Sequence, residues 1–442
     1  MKTKIGLISL GCPKNRVVSE QMLYLLREAG FDITGETDGV DAVVVNTCGF
    51  IDSAKKEAIE TVLALGEAKK KGRIKKIIVT GCLAERYKVE ILAELPEIDA
   101  VLGVGSASDI VAAVTTALSG RVFARFDDKN RPDPDIPRVV TTSDAWAYLK
   151  VAEGCDNRCA FCVIPDIRGR FRSRPMESVI KEAEALVQGG VKELIVVAQD
   201  TTRYGLDLYG KRSLAELLKK LCAIDGLNWI RLHYLYPDEM DDDLIAVIAE
   251  EEKILKYLDI PMQHISDRIL KKMGRRGTGD EIRALFEKLR ARIPGVVLRT
   301  SLIVGLPGEG EQEFLELMDF LREARIERAG VFTYSPEEGT PAAVMDRPDA
   351  ETAAKRAEAV MALQSDVMDA FNNSRLGTTV TILAEGVEDG LFIGRSWAES
   401  PEIDGYIHFT GRTVKPGDIV TVHITGTRDG EPSGEQINRG DA

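Results

Sequence analysis

The sequence has no run of 18 apolar residues, so no membrane-spanning helix is expected. The opening stretch MKTKIGLISLGCPKN is too short in apolar residues for a signal peptide, because Gly11, Pro13 and Lys14 interrupt it. A cytoplasmic protein is the expectation. Positive charge is in deficit: 58 Lys and Arg against 71 Asp and Glu give a net charge of −13. That balance argues against a general nucleic-acid binder and favours basic partners. Cysteine is sparse and odd in number, seven in 442 residues, which fits a reducing compartment where thiols serve as metal ligands and are not paired as disulfides. What is present is an ordinary globular composition, 44% hydrophobic and 29% charged, in a chain long enough for two or three domains.

Six of the cysteines fall into two sets. Cys155, Cys159 and Cys162 stand within eight residues on VAEGCDNRCAFCVIPDIRGRFRSR, just after an apolar run. A structural zinc site wants four ligands, and no fourth Cys or His is near. A disulfide would leave one thiol over. Iron-sulfur clusters are held by closely spaced thiolates, and three ligands on a four-iron cube leave one iron open.

The other set is spread along a repeat. Strand patterns from Lys4 to Leu10, Asp41 to Thr47 and Lys76 to Thr80 alternate with helices from Val17 to Ala29 and from about Ser53 and Ala84, and Asp99 to Leu102 adds a fourth strand. Alternation of this kind predicts a parallel sheet with functional residues beyond the carboxyl ends of the strands. Cys12, Cys48 and Cys82 each follow a strand beside a glycine, 36 and 34 residues apart. One strand-helix unit has that length, so the three thiols should share one edge; three buried structural cysteines are the alternative.

Residues 121–144, containing DDKNRPDPDIPR, lose the periodicity and read as a linker. Six further strand patterns follow, near Ala147 to Ala152, Glu193 to Ala198, Trp229 to Leu235, Lys256 to Ile260, Val296 to Ile303 and Ala329 to Tyr334, with helical patterns between them. They predict an incomplete (β/α)6 barrel with the cysteine loop after its first strand, at the face where such folds carry their sites. His264 is a candidate ligand or a satisfied structural group. Arg168, Arg170, Arg172 and Arg174 alternate and would share one face of an extended segment, facing an acidic ligand or barrel acids. Asp241, Asp242 and Asp243 suit a helix start. Cys222 sits in a helix pattern as a core residue. After a helix from about Ala350 to Phe371, short β runs with Gly-rich turns predict a small antiparallel barrel.

GCPKN at Cys12, NTCGF at Cys48, TGCLAER at Cys82, EGCDNRCAFCVIP at Cys155 and the terminal barrel together resemble the radical S-adenosylmethionine (SAM) methylthiotransferases along nearly the whole chain. The resemblance implies an α/β fold: an N-terminal parallel sheet domain over 1–120, a linker over 121–144, a radical-SAM barrel over 145–374 and a TRAM-like barrel over 375–442. It implies two 4Fe-4S clusters, an auxiliary one on Cys12, Cys48 and Cys82 and a SAM-cleaving one on Cys155, Cys159 and Cys162. SAM would chelate the open iron of the second cluster, with Phe161, Gln199, Ser301 and Gly305 as binding residues. The SLGCPKN start and AQDTTRYG loop look like the branch that modifies the β-carbon of an aspartate in small ribosomal subunit protein twelve. Flavodoxin or ferredoxin would supply electrons, and no membrane is implied. The tRNA-adenosine branch is the alternative substrate reading; a non-catalytic iron-sulfur electron carrier and a zinc-dependent RNA-binding module are the other classes. From Arg375 to Ala442 six basic residues face eleven acidic ones, a balance that disfavours tRNA and favours a basic protein.

Overall fold

The structure, a computed structural model, describes residues 2–437. Its first sheet is formed by β1 (Lys4–Ser9), β2 (Asp32–Thr34), β3 (Val40–Thr47), β4 (Ile74–Gly81), β5 (Ala100–Leu102) and β6 (Phe123–Arg125). The order is β2-β1-β3-β4-β5-β6, and every pair is parallel. Strand β3 is apolar on both faces because helices cover both. Val43 and Val45 join the cluster with Val62 and Leu65, whereas Ala42 and Val44 join the one with Met22 and Leu26. Strand β6 lies inside the stretch read as linker. The rest of that stretch is pinned in place: Arg138 pairs with buried Glu20 at 2.6 Å, and Asp133 with buried Lys150 at 2.6 Å.

The second sheet is built from β7 (Trp146–Lys150), then β10 (Glu193–Val197), β11 (Trp229–Leu232), β12 (Ile254–Asp259), β13 (Val297–Val304) and β14 (Arg328–Thr333), all parallel in the order β14-β13-β12-β11-β10-β7. Between β7 and β10, β8 (Ala152–Glu153) and β9 (Arg172–Ser173) form an antiparallel clasp around the cysteine loop. Alternate residues divide the sheet. Ala147, Leu149, Leu194 and Val196 enter the main core with the helices, while Trp146, Tyr148, Ile195 and Val197 face the other way.

A third unit is the closed barrel of β15 (Thr379–Glu388), β16 (Leu391–Arg395), β17 (Ile407–Thr410), β18 (Ile419–Arg428) and β19 (Glu431–Ile437). The expected antiparallel barrel needs one correction, since β17 and β19 pair in parallel. Its sequence range was read as running to Ala442, and 438–442 lie outside the described residues. Residues 396–404 of this unit seat on the second sheet: Ser400 Oγ lies 2.9 Å from His233 Nε2, Tyr257 donates to Asp404 at 2.5 Å, and Arg231 donates to the Ser396 and Trp397 carbonyls. Glu193 accepts from both Arg231 and Arg395 at 2.7 Å, and all three are fully buried. No helix among the described residues is long and apolar enough to cross a membrane.

Candidate functional site

Strands β1, β3 and β4 are neighbours, and each delivers a cysteine at its carboxyl end. Cys12 caps helix Pro13–Glu28, Cys48 follows β3, and Cys82 opens helix Cys82–Tyr87. Gly11 turns at φ +98°, and a Cβ there would stand 2.8 Å from Cys48 Cβ, so only glycine lets the first two loops meet. Asn15 stitches them further by donating to the Thr47 carbonyl at 2.9 Å and the Leu10 carbonyl at 3.2 Å. Burial, followed by the neighbouring Cys82, pushes the Cys48 thiol up to about 11. Cys12 goes the other way: burial opposes its ionisation, but the charges of Lys14 and Arg168 outweigh it. Three soft sulfur donors on one edge, two of them half-buried, suit an iron-sulfur cluster.

The second triad sits within the β8–β9 clasp. Cys155 N–H donates to the Gly169 carbonyl at 3.1 Å and Cys162 N–H to the Cys159 carbonyl at 3.0 Å, which folds the loop back on itself. Ile164 N–H donates to Cys162 Sγ at 3.4 Å. Cys159 Sγ lies 3.6 Å from Tyr236 Oη and 3.8 Å from Arg275 Nη1. Burial raises Cys155 to about 11 and pushes Cys162 higher, and the other thiols of the loop add to both shifts. Asn157 Nδ2 ties the loop to Asp200, beyond β10, at 2.7 Å. The three free thiols of this loop also suit a cluster by their chemistry.

A buried bridge runs from Cys82 of the first triad to Glu153, which precedes the loop of the second. Arg168 donates to Cys82 Sγ through Nε at 3.3 Å and Nη2 at 3.2 Å, to Asn15 Oδ1, and through Nη1 to Glu153 Oε2 at 3.0 Å. Glu153 also accepts from Lys150 at 2.9 Å and Gln199 at 2.5 Å. Burial opposes its ionisation, but the Arg168 and Lys150 cations hold its carboxyl well below the usual carboxylate range. A cavity of about 360 Å³ lies along this bridge, lined by Asn15, Asn46, Lys150, Glu153, Arg168 and Arg172.

The arginine run requires a correction. Arg168 ends helix Ile164–Arg168 and Gly169 turns at φ +75°, so the four guanidiniums do not share a face. Arg170 is exposed on Asp156, Arg172 donates to backbone carbonyls, and Arg174 binds Glu182 and Asp135. Among the other expected residues, Gln199 reaches the bridge and leaves Oε1 buried without a partner among the described residues. Phe161 packs in an apolar cluster with Met273, Leu306 and Ala342. Ser301 lies on β13, where its carbonyl accepts from Gln263 N–H at 2.9 Å. Gly305, just beyond β13, has φ +76°, and a Cβ there would stand 2.6 Å from Ala353 Cβ, so helix Ala350–Ser374 accounts for that glycine. Two strands separate β13 from β10, so these residues share the carboxyl edge with Gln199 without adjoining it. His264 is buried, accepts from Ser266 N–H on Nδ1 at 3.0 Å and is pushed down to about 4 by burial. Asp241 caps its helix by accepting from Leu244 N–H at 2.9 Å. Cys222 ends helix Leu214–Cys222 within the core. Glu153 and Arg275 were not singled out; the site groups they meet, Arg168 and Cys159, are 15 and 116 residues away in sequence.

The sequence matches the Radical SAM superfamily over residues 149–321, the Uncharacterized protein family UPF0004 over 4–103 and the TRAM domain over 376–437. It is 50% identical over 438 residues to the ribosomal protein uS12 methylthiotransferase RimO of Desulforamulus reducens, covering 98% of this chain and 99% of that one. The RimO protein of Acetivibrio thermocellus is 48% identical over 456 residues, with 99% of both chains covered. Among solved structures, the radical SAM methyltransferase TsrM from Kitasatospora setae, with cobalamin and a [4Fe-4S] cluster bound, aligns at TM-score 0.55 and 15% identity, covering 78% of this chain and 77% of that one. The cobalamin-dependent radical SAM enzyme OxsB aligns at TM-score 0.51 and 12% identity, covering 82% and 56%. At such identities the structural likeness speaks for the fold.

Proposed function

The chain belongs to the family of ribosomal protein uS12 methylthiotransferases, and from that premise we propose that it inserts a methylthio group at the β-carbon of an aspartate in that ribosomal protein. It is a radical-SAM methylthiotransferase, and the family's cofactors are SAM and two 4Fe-4S clusters. We assign the auxiliary cluster to Cys12, Cys48 and Cys82 within residues 1–120 and the SAM-cleaving cluster to Cys155, Cys159 and Cys162 within 145–374, with 121–144 as the strap between them. When bound, these groups supply the electron, the hydrogen-abstracting radical and the methylthio group that an unactivated C–H bond demands. The observation that carries the reading is the Arg168 bridge, which ties Cys82 of the first triad to Glu153 beside the loop of the second.

The chain's own residues bind and orient. Arg168 keeps Cys82 and Glu153 fixed at once, so the two edges cannot drift apart independently. Tyr236 and Arg275 flank Cys159 Sγ with hydrogen-bonding groups, which hold the sulfur in place and stabilise negative charge on it. Gln199 is the SAM-binding residue with the most direct support, because its buried, unpartnered Oε1 can accept from an ammonium. Ser301 offers a hydroxyl on the same edge, and Phe161 and Gly305 shape the wall. A low-potential donor of the flavodoxin or ferredoxin class is the proposed reductant, and the cytoplasm the proposed location. The acidic TRAM-like barrel is proposed to receive the basic substrate protein.

The test is anaerobic reconstitution with iron, sulfide, SAM and reductant, followed by mass spectrometry of the ribosomal protein and of tRNA offered side by side. A methylthio mass increment on the aspartate is expected. Modification of tRNA with the protein left untouched would overturn the substrate assignment.

A further inference from the structure

The loop that follows the last strand of the second sheet carries a carboxylate buried against the first unit. Glu337, just beyond β14, is 1% exposed. Its Oε2 accepts from Arg86 Nη1 at 2.7 Å and from Lys55 Nζ at 2.9 Å, and its Oε1 accepts from Ser335 Oγ at 2.7 Å. Lys55 belongs to helix Asp52–Lys70 and Arg86 to helix Cys82–Tyr87, so one carboxylate of the second unit grips two helices of the first. A carboxylate taken out of water needs paired and well-placed partners, and two cations with a hydroxyl meet that need. Arg86 Nη2 adds a bond to the Glu338 carbonyl at 3.0 Å.

Each end of this contact reaches a cysteine loop. Arg86 Nη1 also donates to the carbonyl of Gly49, the residue after Cys48, at 3.0 Å. On the other side the Glu337 carbonyl accepts from Thr340 N–H at 3.1 Å and Thr340 Oγ1 at 2.7 Å, which turns the chain into Pro341–Val344. There Ala342 N–H donates at 2.9 Å to the carbonyl of Ala160, which stands between Cys159 and Cys162. A series of hydrogen bonds and one tight turn therefore runs from the loop of one triad to the loop of the other. Its place on the sheet differs from that of the Arg168 bridge. Glu337 follows β14 and Glu153 follows β7, and these are the two outer strands of the second sheet. A unit fastened at one edge can swing, whereas one fastened at both keeps its orientation.

We propose that Glu337 is a positioning residue that fixes the first cysteine-bearing edge against the second and so couples SAM cleavage to sulfur transfer. The inference rests on the two-cluster reading above and adds the residue that sets the spacing. Glu337 acts through Arg86 on the Cys48 loop and through its own turn on the Cys159 loop. Hydrogen abstraction and methylthio capture fall at one substrate carbon, and the groups that supply them belong to different units. A misplacement of about 1 Å between reacting groups costs on the order of a hundredfold in rate. Loosening this contact would therefore spare SAM cleavage, which needs the second unit alone, and slow the transfer, which needs both.

The test compares wild type with Glu337→Gln and Glu337→Asp as full chains reconstituted anaerobically. Hydrogen exchange reports the contact itself, the ratio of methylthiolated substrate to 5′-deoxyadenosine reports coupling, and iron per chain is assayed alongside. In Glu337→Gln the amides of 50–56 and of 335–342 should exchange about tenfold faster together, with iron and SAM cleavage retained. The product ratio should fall about tenfold or more, and Glu337→Asp, which keeps the charge, should recover part of both losses. Unchanged exchange, loosening confined to 335–342, or SAM cleavage that falls in step with transfer would overturn the inference. If Glu337→Gln loses iron, Lys55→Met, which leaves Arg86 on the carboxylate, decides by the same readouts. A wild-type enzyme that methylthiolates tRNA and not the ribosomal protein would remove the substrate reading alone, since the ratio is then read on tRNA. One that cleaves SAM and transfers sulfur to neither would remove the two-cluster reading and this inference with it.

Discussion

Arg168 Nη2 lies 3.2 Å from Cys82 Sγ, so a side chain six residues past Cys162 in the second unit holds a thiol of the first. The same guanidinium neutralises buried Glu153, whose other ionic partner is Lys150. Arg168→Met should therefore destabilise the iron-free protein by about 3–5 kcal/mol, the usual result of removing one partner from a buried ion pair. It should also lower the iron held by Cys12, Cys48 and Cys82. Urea unfolding and iron assay measure the two effects, and Arg168→Lys should fall between, since a point charge cannot replace the fork. Unchanged stability would refute the bridge.

The two triads lie on different sheets, so their metal contents should separate. Replacing Cys155, Cys159 and Cys162 with Ala should leave roughly half the iron and abolish SAM cleavage, because each triad is expected to hold its own four-iron cluster. Replacing Cys12, Cys48 and Cys82 should leave the other half and spare SAM cleavage. Cys222→Ala should keep the full iron content, as that thiol is a core residue pushed up to about 11 by burial. Loss of all iron from either folded triple variant would argue against two independent sites.

His264 and His233 are both held far below the ordinary histidine range, to about 4 and about 3, by burial. A histidine whose folded pKa is depressed takes up its proton more readily when unfolded, so stability is full above the unfolded value near 6.5 and falls as pH drops from there towards 4. The urea midpoint should decline across that window. His264→Gln should flatten the decline, and a midpoint equally steep in that variant would show that other groups control it.

Much of this architecture was written in local pattern. Strands such as VDAVVVNT are recognisable because both faces are buried, and the repeat length alone brought Cys12, Cys48 and Cys82 to one edge. The strands that escaped notice carry little apolar signal: β2 is DIT, β6 is FAR, and β19 contains Pro432 and Gly434. They exist because a neighbouring strand offers unpaired backbone groups. The bridge was illegible for another reason. Arg168 and Cys82 are 86 residues apart, and an alternating run of arginines suggested one extended face until a short helix and the turn at Gly169 redirected them.

Charge on the terminal barrel bears on substrate docking, but removing the barrel is not the way to test it. Residues 396–404 supply partners to Arg231, His233 and Tyr257, and Glu193 shares buried Arg395 with that unit, so a truncated chain would leave charges and hydrogen bonds unmet in the second sheet. Surface charge can be altered without that disturbance. Among residues 375–437, five basic side chains face ten acidic ones; Glu388 and Glu435 are exposed, and neither has an ion-pair partner among the described residues. Glu388→Lys with Glu435→Lys should leave the unfolding temperature near the wild-type value. It should weaken binding of the basic ribosomal protein several-fold at low ionic strength and reduce the salt dependence of that binding, as expected when a steering field is cut. Anisotropy titrations at low and high salt check it. Unchanged affinity at low salt would place the docking surface elsewhere on the chain.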